Sequence, residues 1–178
     1  MTNAEKYIHS LSKFGKKSGL DNITRLLEKL GNPQDKLKFV HIAGTNGKGS
    51  VSAFVSQILI ESGCKTGLFT SPFIEVFNER IKINNQNISD EDLERCVGIV
   101  RGAVDILKSE DDYFPIEFEV ITAAAFLYFA EQKCDVVVLE VGLGGRLDCT
   151  NVVKNPLVCA VCSISFDHTK YLGDTIEK

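Results

Sequence analysis

Lys38-Phe39-Val40-His41-Ile42-Ala43-Gly44-Thr45-Asn46-Gly47-Lys48-Gly49-Ser50-Val51 decides how this chain is read. An apolar run stops at Gly44, a short loop of small and polar residues follows, and a helix-compatible run covers 51–62. Strand, glycine loop and helix, in that order, make a phosphate cradle. Glycines let the backbone approach closely, free amides at a helix start point at an anion, and the lysine adds a mobile positive charge. Gly44, Thr45, Asn46, Gly47, Lys48, Gly49 and Ser50 are therefore the candidate nucleotide-phosphate ligands. The spelling departs from the common pattern: Ile42 stands six residues before the lysine where glycine is usual, and Gly49 follows Lys48, so the hydroxyl is displaced to Ser50. A plain glycine-rich turn is the alternative. The buried strand and well-formed helix on either side argue against it.

Working outward, the 178 residues suffice for one domain with a proper core. Composition is ordinary, 44% hydrophobic and 25% charged. A net charge of −4 gives no global basic field, which argues against nucleic acid as a partner. A polyanionic ligand needs local cations instead, and Lys48, Arg80, Lys82 and Arg146 lie near motif loops, with Lys82 the best fit to plain surface charge. No apolar run reaches the ~18 residues of a membrane span. The longest, 116–130, is broken by Glu117 and Glu119, and the start of the chain has no basic-then-apolar signal organisation. The expectation is a cytoplasmic protein without a membrane partner. The six scattered cysteines suggest no disulfide framework. Cys159 and Cys162 have redox or zinc spacing, but residues three apart on a strand face opposite ways, so core packing is expected.

Periodicity predicts an N-terminal helical cover over 1–37, with helices at 4–11 and 20–30. Asp21 is a possible N-cap of the second, and Ile23, Leu26, Leu27 and Leu30 form its inner face. Over 38–178 strands are expected at 39–43, 65–70, 135–141 and 157–164, the last two reading as buried. The helix after the glycine loop carries Val51, Phe54, Val55, Ile58 and Leu59 as its apolar residues. The stretch 80–88 alternates around Asn84-Asn85-Gln86-Asn87 and reads as a hairpin. Ser89 opens a helix with Asp92 in the capping-box position, and another helix spans 117–132. Strands alternating with long helices give an α/β fold with a mostly parallel sheet.

In open parallel sheets ligands bind beyond the carboxyl ends of strands. Four predicted strands end in chemistry: at the 44–50 loop, at Thr70-Ser71, at Glu140 and at Asp167-His168. A triphosphate on Lys48 needs a magnesium ion, which prefers oxygen ligands and keeps several waters; Ser71 offers a hydroxyl and Glu140 a carboxylate. A lone carboxylate after Val136-Val137-Val138-Leu139 is costly if buried unpaired, and a cation explains it; an ion pair with a Lys or Arg is the alternative. By spacing alone His168 is equally a hydrogen-bonding base or a structural histidine capped by Asp167.

The loop resembles that of the Mur ligase superfamily, closest to its folylpolyglutamate synthase/dihydrofolate synthase branch. The same order of motifs continues with Thr70-Ser71-Pro72, Asn78-Glu79-Arg80-Ile81, Glu140-Val141-Gly142-Leu143-Gly144-Gly145-Arg146-Leu147-Asp148, Thr150-Asn151, Asp167-His168 and Leu172-Gly173. The resemblance implies a P-loop-type three-layer domain like the Mur ligase central domain. It implies ATP on the 45–50 loop and magnesium held by Ser71, Glu140 and His168, with Lys48, Glu140 and His168 catalytic. It implies a folate or dihydropteroate pocket touched by Phe73, Arg80, Phe118, Glu119, Thr122, Arg146 and Asp148. Phe73 stands where family members often have histidine; stacking on a ring or plain packing both fit it, and a buried helix face fits Phe118. The implied activity is ATP-dependent ligation of L-glutamate to folate or dihydropteroate through an acyl phosphate, by an enzyme that is monomeric when full length. Family enzymes are longer, so 1–178 is expected to be an incomplete N-terminal ATP-binding domain. The resemblance implies that a C-terminal glutamate ligase domain lies outside it, as does a modified lysine for which Lys178 comes too early. Such a piece is expected to be inactive alone. A cell-wall precursor ligase, a P-loop kinase and a non-catalytic nucleotide switch are the competing readings; the displaced hydroxyl and the loop after Glu140 fit a kinase poorly.

Overall fold

The computed structural model describes residues 1–13 and 19–175; Lys178 lies outside them. Six strands form one sheet in the order β4-β3-β2-β5-β1-β6. They are β1 (Phe39–Ala43), β2 (Thr66–Phe69), β3 (Ile81–Ile83), β4 (Gln86–Asn87), β5 (Val136–Glu140) and β6 (Val158–Val161). The neighbours β2, β5, β1 and β6 are parallel; β3 and β4 add an antiparallel hairpin at one edge. Asn84 and Asn85 turn that hairpin with φ of 47° and 64°, a conformation asparagine tolerates better than most residues.

Alternate residues of the parallel strands feed two cores. Ile42, Leu68 and Val138 face one way, towards Val51, Val55 and Leu59 of α3 (Lys48–Glu61). Phe39, Phe69, Val137 and Leu139 face the other, where α5 (Glu117–Glu131) lies on the sheet. Phe39 meets Phe126 of α5 edge to face at 5.5 Å. Outside α5 pack α4 (Asp90–Glu110), α1 (Asn3–His9) and α2 (Asp21–Lys29), which complete the helical layers expected on both faces. The Ser89 hydroxyl accepts the Asp92 amide at 3.1 Å, so α4 starts where its sequence predicted. The last element, α6, is the short Thr169–Leu172. Among the described residues no helix is long and apolar enough to cross a membrane.

Three expectations need correction. Asp21 is not the N-cap of α2; Leu20 is, and Asp21 lies in the first turn. On α3 the fully buried residues are Ser52 and Ser56, whereas Phe54 is 70% and Ile58 65% exposed. The stripe of α3 that meets the sheet runs through Val51, Ser52, Val55, Ser56 and Leu59, and at 3.6 residues per turn positions 54 and 58 are turned away from it. The strand at 157–164 exists but is not buried: β6 pairs only with β1 and leaves Val158, Cys159 and Val161 exposed. Cys159 is therefore not core packing, because an edge strand has no neighbour to cover it.

α5 also comes close to β2. A Cβ on Gly67 would lie 2.9 Å from Phe129 Cδ1 and 3.1 Å from Val137 Cγ2. Gly67→Ala should cost about 1–3 kcal/mol through overpacking. Urea unfolding checks this, and an unchanged midpoint would show that the layers have slack.

Candidate active site

The register of the parallel strands sets the site. Ile42 lies beside Glu140 and Phe69 beside Leu139, so β1, β2 and β5 end at nearly one level. Their following loops meet around a cavity of about 650 Å³. Its walls bring together Gly44, Thr45, Lys48, Ser71, Arg146, Asp167 and His168, with the 142–145 loop between them.

The glycine loop is pinned from outside. The Thr45 amide donates to Ser163 O at 2.9 Å, Thr45 Oγ1 to Ser165 O at 3.1 Å, and the Ser165 amide returns to Thr45 Oγ1 at 3.0 Å. Gly44 has φ 136°, and a Cβ there would stand 2.8 Å from Cys162 Cβ, so only glycine fits. Gly47 precedes α3 with φ 85°; no side chain caps the helix and no acidic residue sits in its first turn. The first-turn amides of a 14-residue helix are thus left for an anion. Lys48 Nζ folds back onto the carbonyls of Gly44 and Thr45, at 2.8 and 3.3 Å. Ser50 lies exposed on the first turn.

Glu140 ends β5, 3% exposed, and Oε2 accepts the Ser71 amide at 3.0 Å. Its carboxylate also lies against Gly49, within 4 Å of where a Cβ would be. Burial raises its pKa, against the Ser71 hydrogen bond and the Lys48 charge. Among the described residues no Lys or Arg forms the direct ion pair considered as its alternative; Lys48 acts through its field. His168 has φ 45° and opens α6; its amide donates to Asp167 Oδ1 at 2.8 Å, and Nε2 lies 3.7 Å from the same oxygen. Among the described residues no group of three or more His, Cys, Asp or Glu is arranged to hold a metal.

A scan against protein-family models gives no match. Individual proteins match well. The chain is 48% identical over 177 residues to the dihydrofolate synthase/folylpolyglutamate synthase of Bacillus subtilis (strain 168), which covers 99% of this chain and 41% of that protein. It is 43% identical to the folylpolyglutamate synthase of Lacticaseibacillus casei, over 98% of the chain and 41% of the relative. A solved complex of FPGS with AMPPCP and folate superposes with a TM-score of 0.93 at 43% identity, over 99% of this chain and 43% of that one. Folylpolyglutamate synthase of Thermotoga maritima gives a TM-score of 0.86 at 44% identity, over 92% and 38%. The chain belongs to the folylpolyglutamate/dihydrofolate synthase family. It spans about two-fifths of the length of the curated relatives it matches. Its α/β fold is the Mur ligase fold of those structures.

The remaining residues that the family resemblance singled out fall into two groups. Arg80 and Phe118 line a second cavity of about 200 Å³ with Lys13 and Glu117. The Arg80 guanidinium lies 5.4 Å from both the Phe73 and Phe77 rings and 4.0 Å from Glu117, with Nε buried and unpartnered. The loop before it is clamped by Glu79, whose carboxylate accepts the amides of Ile74, Glu75 and Val76. Glu119, Thr122 and Asp148, by contrast, are turned inward and buried. Glu119 accepts the Ile116 amide at 2.9 Å and so closes the start of α5; Thr122 Oγ1 is buried without a partner. Asp148 accepts the Leu143 amide at 2.8 Å and the Thr150 hydroxyl at 2.6 Å. His41 completes this last group, with Nε2 2.8 Å from Thr150 Oγ1. His41 and Thr150 stand in the sequence motifs without an assigned role. The signal was a polar residue inside an apolar strand, which needs a buried partner.

Burial pushes the Glu119 carboxyl up to about 7, against its bonds from Ile116 and Asn22. A raised acid binds its proton more readily folded than unfolded, so its contribution is intact below the unfolded pKa and lost as pH climbs towards 7. Glu119→Gln keeps the acceptor and removes the charge. Thermal melts should show it stabilised by ~1–3 kcal/mol at about pH 8, with the gain gone near pH 4. Equal melting points at both pH values would mean the carboxyl is solvated.

Proposed function

We propose that this chain is the ATP-binding part of an enzyme that joins L-glutamate to dihydropteroate or a folate, with the glutamate-binding domain elsewhere in the complete protein. The Glu140 carboxylate carries the reading. It is buried, bonded to the Ser71 amide and set beside Gly49 and Lys48 at the mouth of the phosphate loop. A nearly dry carboxylate with one hydrogen bond, next to a hydroxyl residue, fits a hard divalent cation that keeps waters and phosphate oxygens as its other ligands. Ser71, Glu140 and His168, which lines the same cavity as Ser71, would hold magnesium, which would supply charge neutralisation at the transferring phosphoryl group.

The chain's own residues do the rest. Lys48 exchanges its bonds to the Gly44 and Thr45 carbonyls for β- and γ-phosphate oxygens. The first-turn amides and the Ser50 hydroxyl take the remaining phosphate oxygens. A carboxylate oxygen of the pteroate or folate attacks the γ-phosphorus, and ADP leaves. The glutamate amine then attacks the acyl carbon of the resulting acyl phosphate, phosphate leaves with the C–O bond pair, and the amine gives up a proton to form the amide. Arg146, on the cavity wall, faces these anionic species, while Phe73, Arg80 and Phe118 contact the acceptor. The named activities of relatives such as the Bacillus subtilis protein support this substrate class. We place the enzyme in the cytoplasm as a monomer acting on small molecules; the net charge of −4 gives nucleic acid no attractive field.

In the complete protein, Lys48→Ala should keep the fold and lower ATP-dependent glutamate ligation at least ~100-fold. Glu140→Gln should shift the magnesium titration to higher concentration. Normal turnover in the first, or an unmoved titration in the second, removes that residue from its role. Consumption of a cell-wall precursor instead of a pteroate would redirect the whole assignment.

A further inference from the structure

The buried chain His41–Thr150–Asp148 joins two parts of the site that share no element. His41 lies on β1, three residues before the phosphate loop begins at Gly44, and faces the α5 side of the sheet with Phe39. Asp148 closes the 142–145 loop at both ends: its amide donates to Gly145 O at 3.0 Å, and Oδ2 accepts the Leu143 amide at 2.8 Å. The same Oδ2 presses on Gly142, where a Cβ would lie 3.1 Å away, and Phe118 Cζ would be 2.5 Å from it on the other side. Loop 142–145 has no helix or strand of its own, so these bonds set where it stands in the cavity wall.

Proton arithmetic gives the chain a direction. Thr150 has one hydroxyl hydrogen, and Asp148 Oδ1, which also accepts the Thr150 amide at 3.0 Å, takes it at 2.6 Å. Nε2 of His41, 2.8 Å from the same hydroxyl oxygen, must then be the donor. The imidazole is fixed as the Nε2–H tautomer, and the sequence of bonds runs Nε2–H to Oγ1–H to carboxylate. All three side chains are under 9% exposed, so each bond is made away from competing water.

We propose that His41 is a positioning residue. Through Thr150 and Asp148 it fixes the Leu143 amide, and with it the 142–145 loop, in register with the strand that carries the phosphate loop. This rests on the ligase reading for its functional consequence but not for the network itself. A loop that forms the wall between phosphate loop and acceptor sets their mutual orientation, so loosening it should act on turnover more than on nucleotide affinity.

The test compares His41→Phe, which keeps the volume and removes the donor, with His41→Gln, which keeps an N–H. Amide hydrogen exchange at Leu143 and steady-state kinetics of the complete protein are the readouts. His41→Phe should speed Leu143 exchange and lower kcat about tenfold each, with KM for ATP unchanged, and His41→Gln should recover most of both. Thr150→Val should match His41→Phe, and the double variant should add nothing further, as expected for members of one chain. Thr150→Ser, which keeps the hydroxyl, should behave as the wild type and replaces the comparison should His41→Phe fail to fold. Unchanged Leu143 exchange in His41→Phe or Thr150→Val, or effects that add independently, would overturn the proposal. An inactive wild-type protein whose Leu143 exchange still responds would count against the ligase reading and leave the network standing.

Discussion

The parallel pairing of β5 between β1 and β2 is the constraint on which the site depends. Those pairings put Ile42 beside Glu140 and Leu139 beside Phe69, so three chain segments distant in sequence stop at a common height. A slip of one residue would turn Glu140 through the sheet to the opposite face and bury a side chain of the wrong kind. The hydrophobic alternation prevents this. Val137 and Leu139 belong to the core under α5, Val138 to the core under α3, and neither set tolerates exchange with a carboxylate. Packing of valines thus fixes where a charge stands, and the charge fixes where Ser71 stands through a backbone bond.

Much of this was legible from residues alone because the signals were local and redundant. Strand 39–43, the hairpin around Asn84-Asn85, the Ser89 cap and the meeting of four strand ends each follow from patterns within a few residues. The misread positions share a different cause. Phe54 and Ile58 look like core on a helix wheel, yet which stripe of the helix meets the sheet, a tertiary matter, favours Ser52 and Ser56. Val158 to Val161 read as a buried strand because periodicity does not reveal which strand has only one neighbour. The orientation of Asp148, in a motif loop, and of Glu119, in the first turn of α5, was not legible either, because whether a carboxylate faces a cavity or its own backbone depends on rotamers set by the surrounding fold.

Buried polar side chains stand on both faces of the sheet near the strand ends that edge the cavity: His41 faces α5 with Phe39, and Glu140 faces α3 with Val138. Glu140, His41, Thr150 and Asp148 are all sealed from water, and each is satisfied by few partners. Aliphatic residues at these positions would give a more stable core, since an incompletely paired buried carboxylate costs free energy that hydrophobic contacts do not. Such cost is tolerated where placement of a group matters more than stability.

The two walls of the cavity solve that placement problem differently. The phosphate loop is held from outside by reciprocal bonds between Thr45 and the 163–165 segment, while its lysine rests on its own carbonyls. Its backbone is therefore shaped before any anion arrives, and binding needs only the lysine to change partners, which keeps the reorganisation small. Among the described residues the 142–145 loop is held by one residue, Asp148, through its carboxylate to the Leu143 amide and its amide to Gly145 O; Asp148 is backed by Thr150 and then by His41 on β1. A rigid cradle paired with a wall held at one point suits a reaction with two successive acceptors. In the proposed ligation the phosphate cradle keeps its place while the space beside it first receives a carboxylate and then an amine. Because that single point is anchored on the strand that leads into the cradle, any adjustment of the wall is made relative to the phosphates and not independently of them.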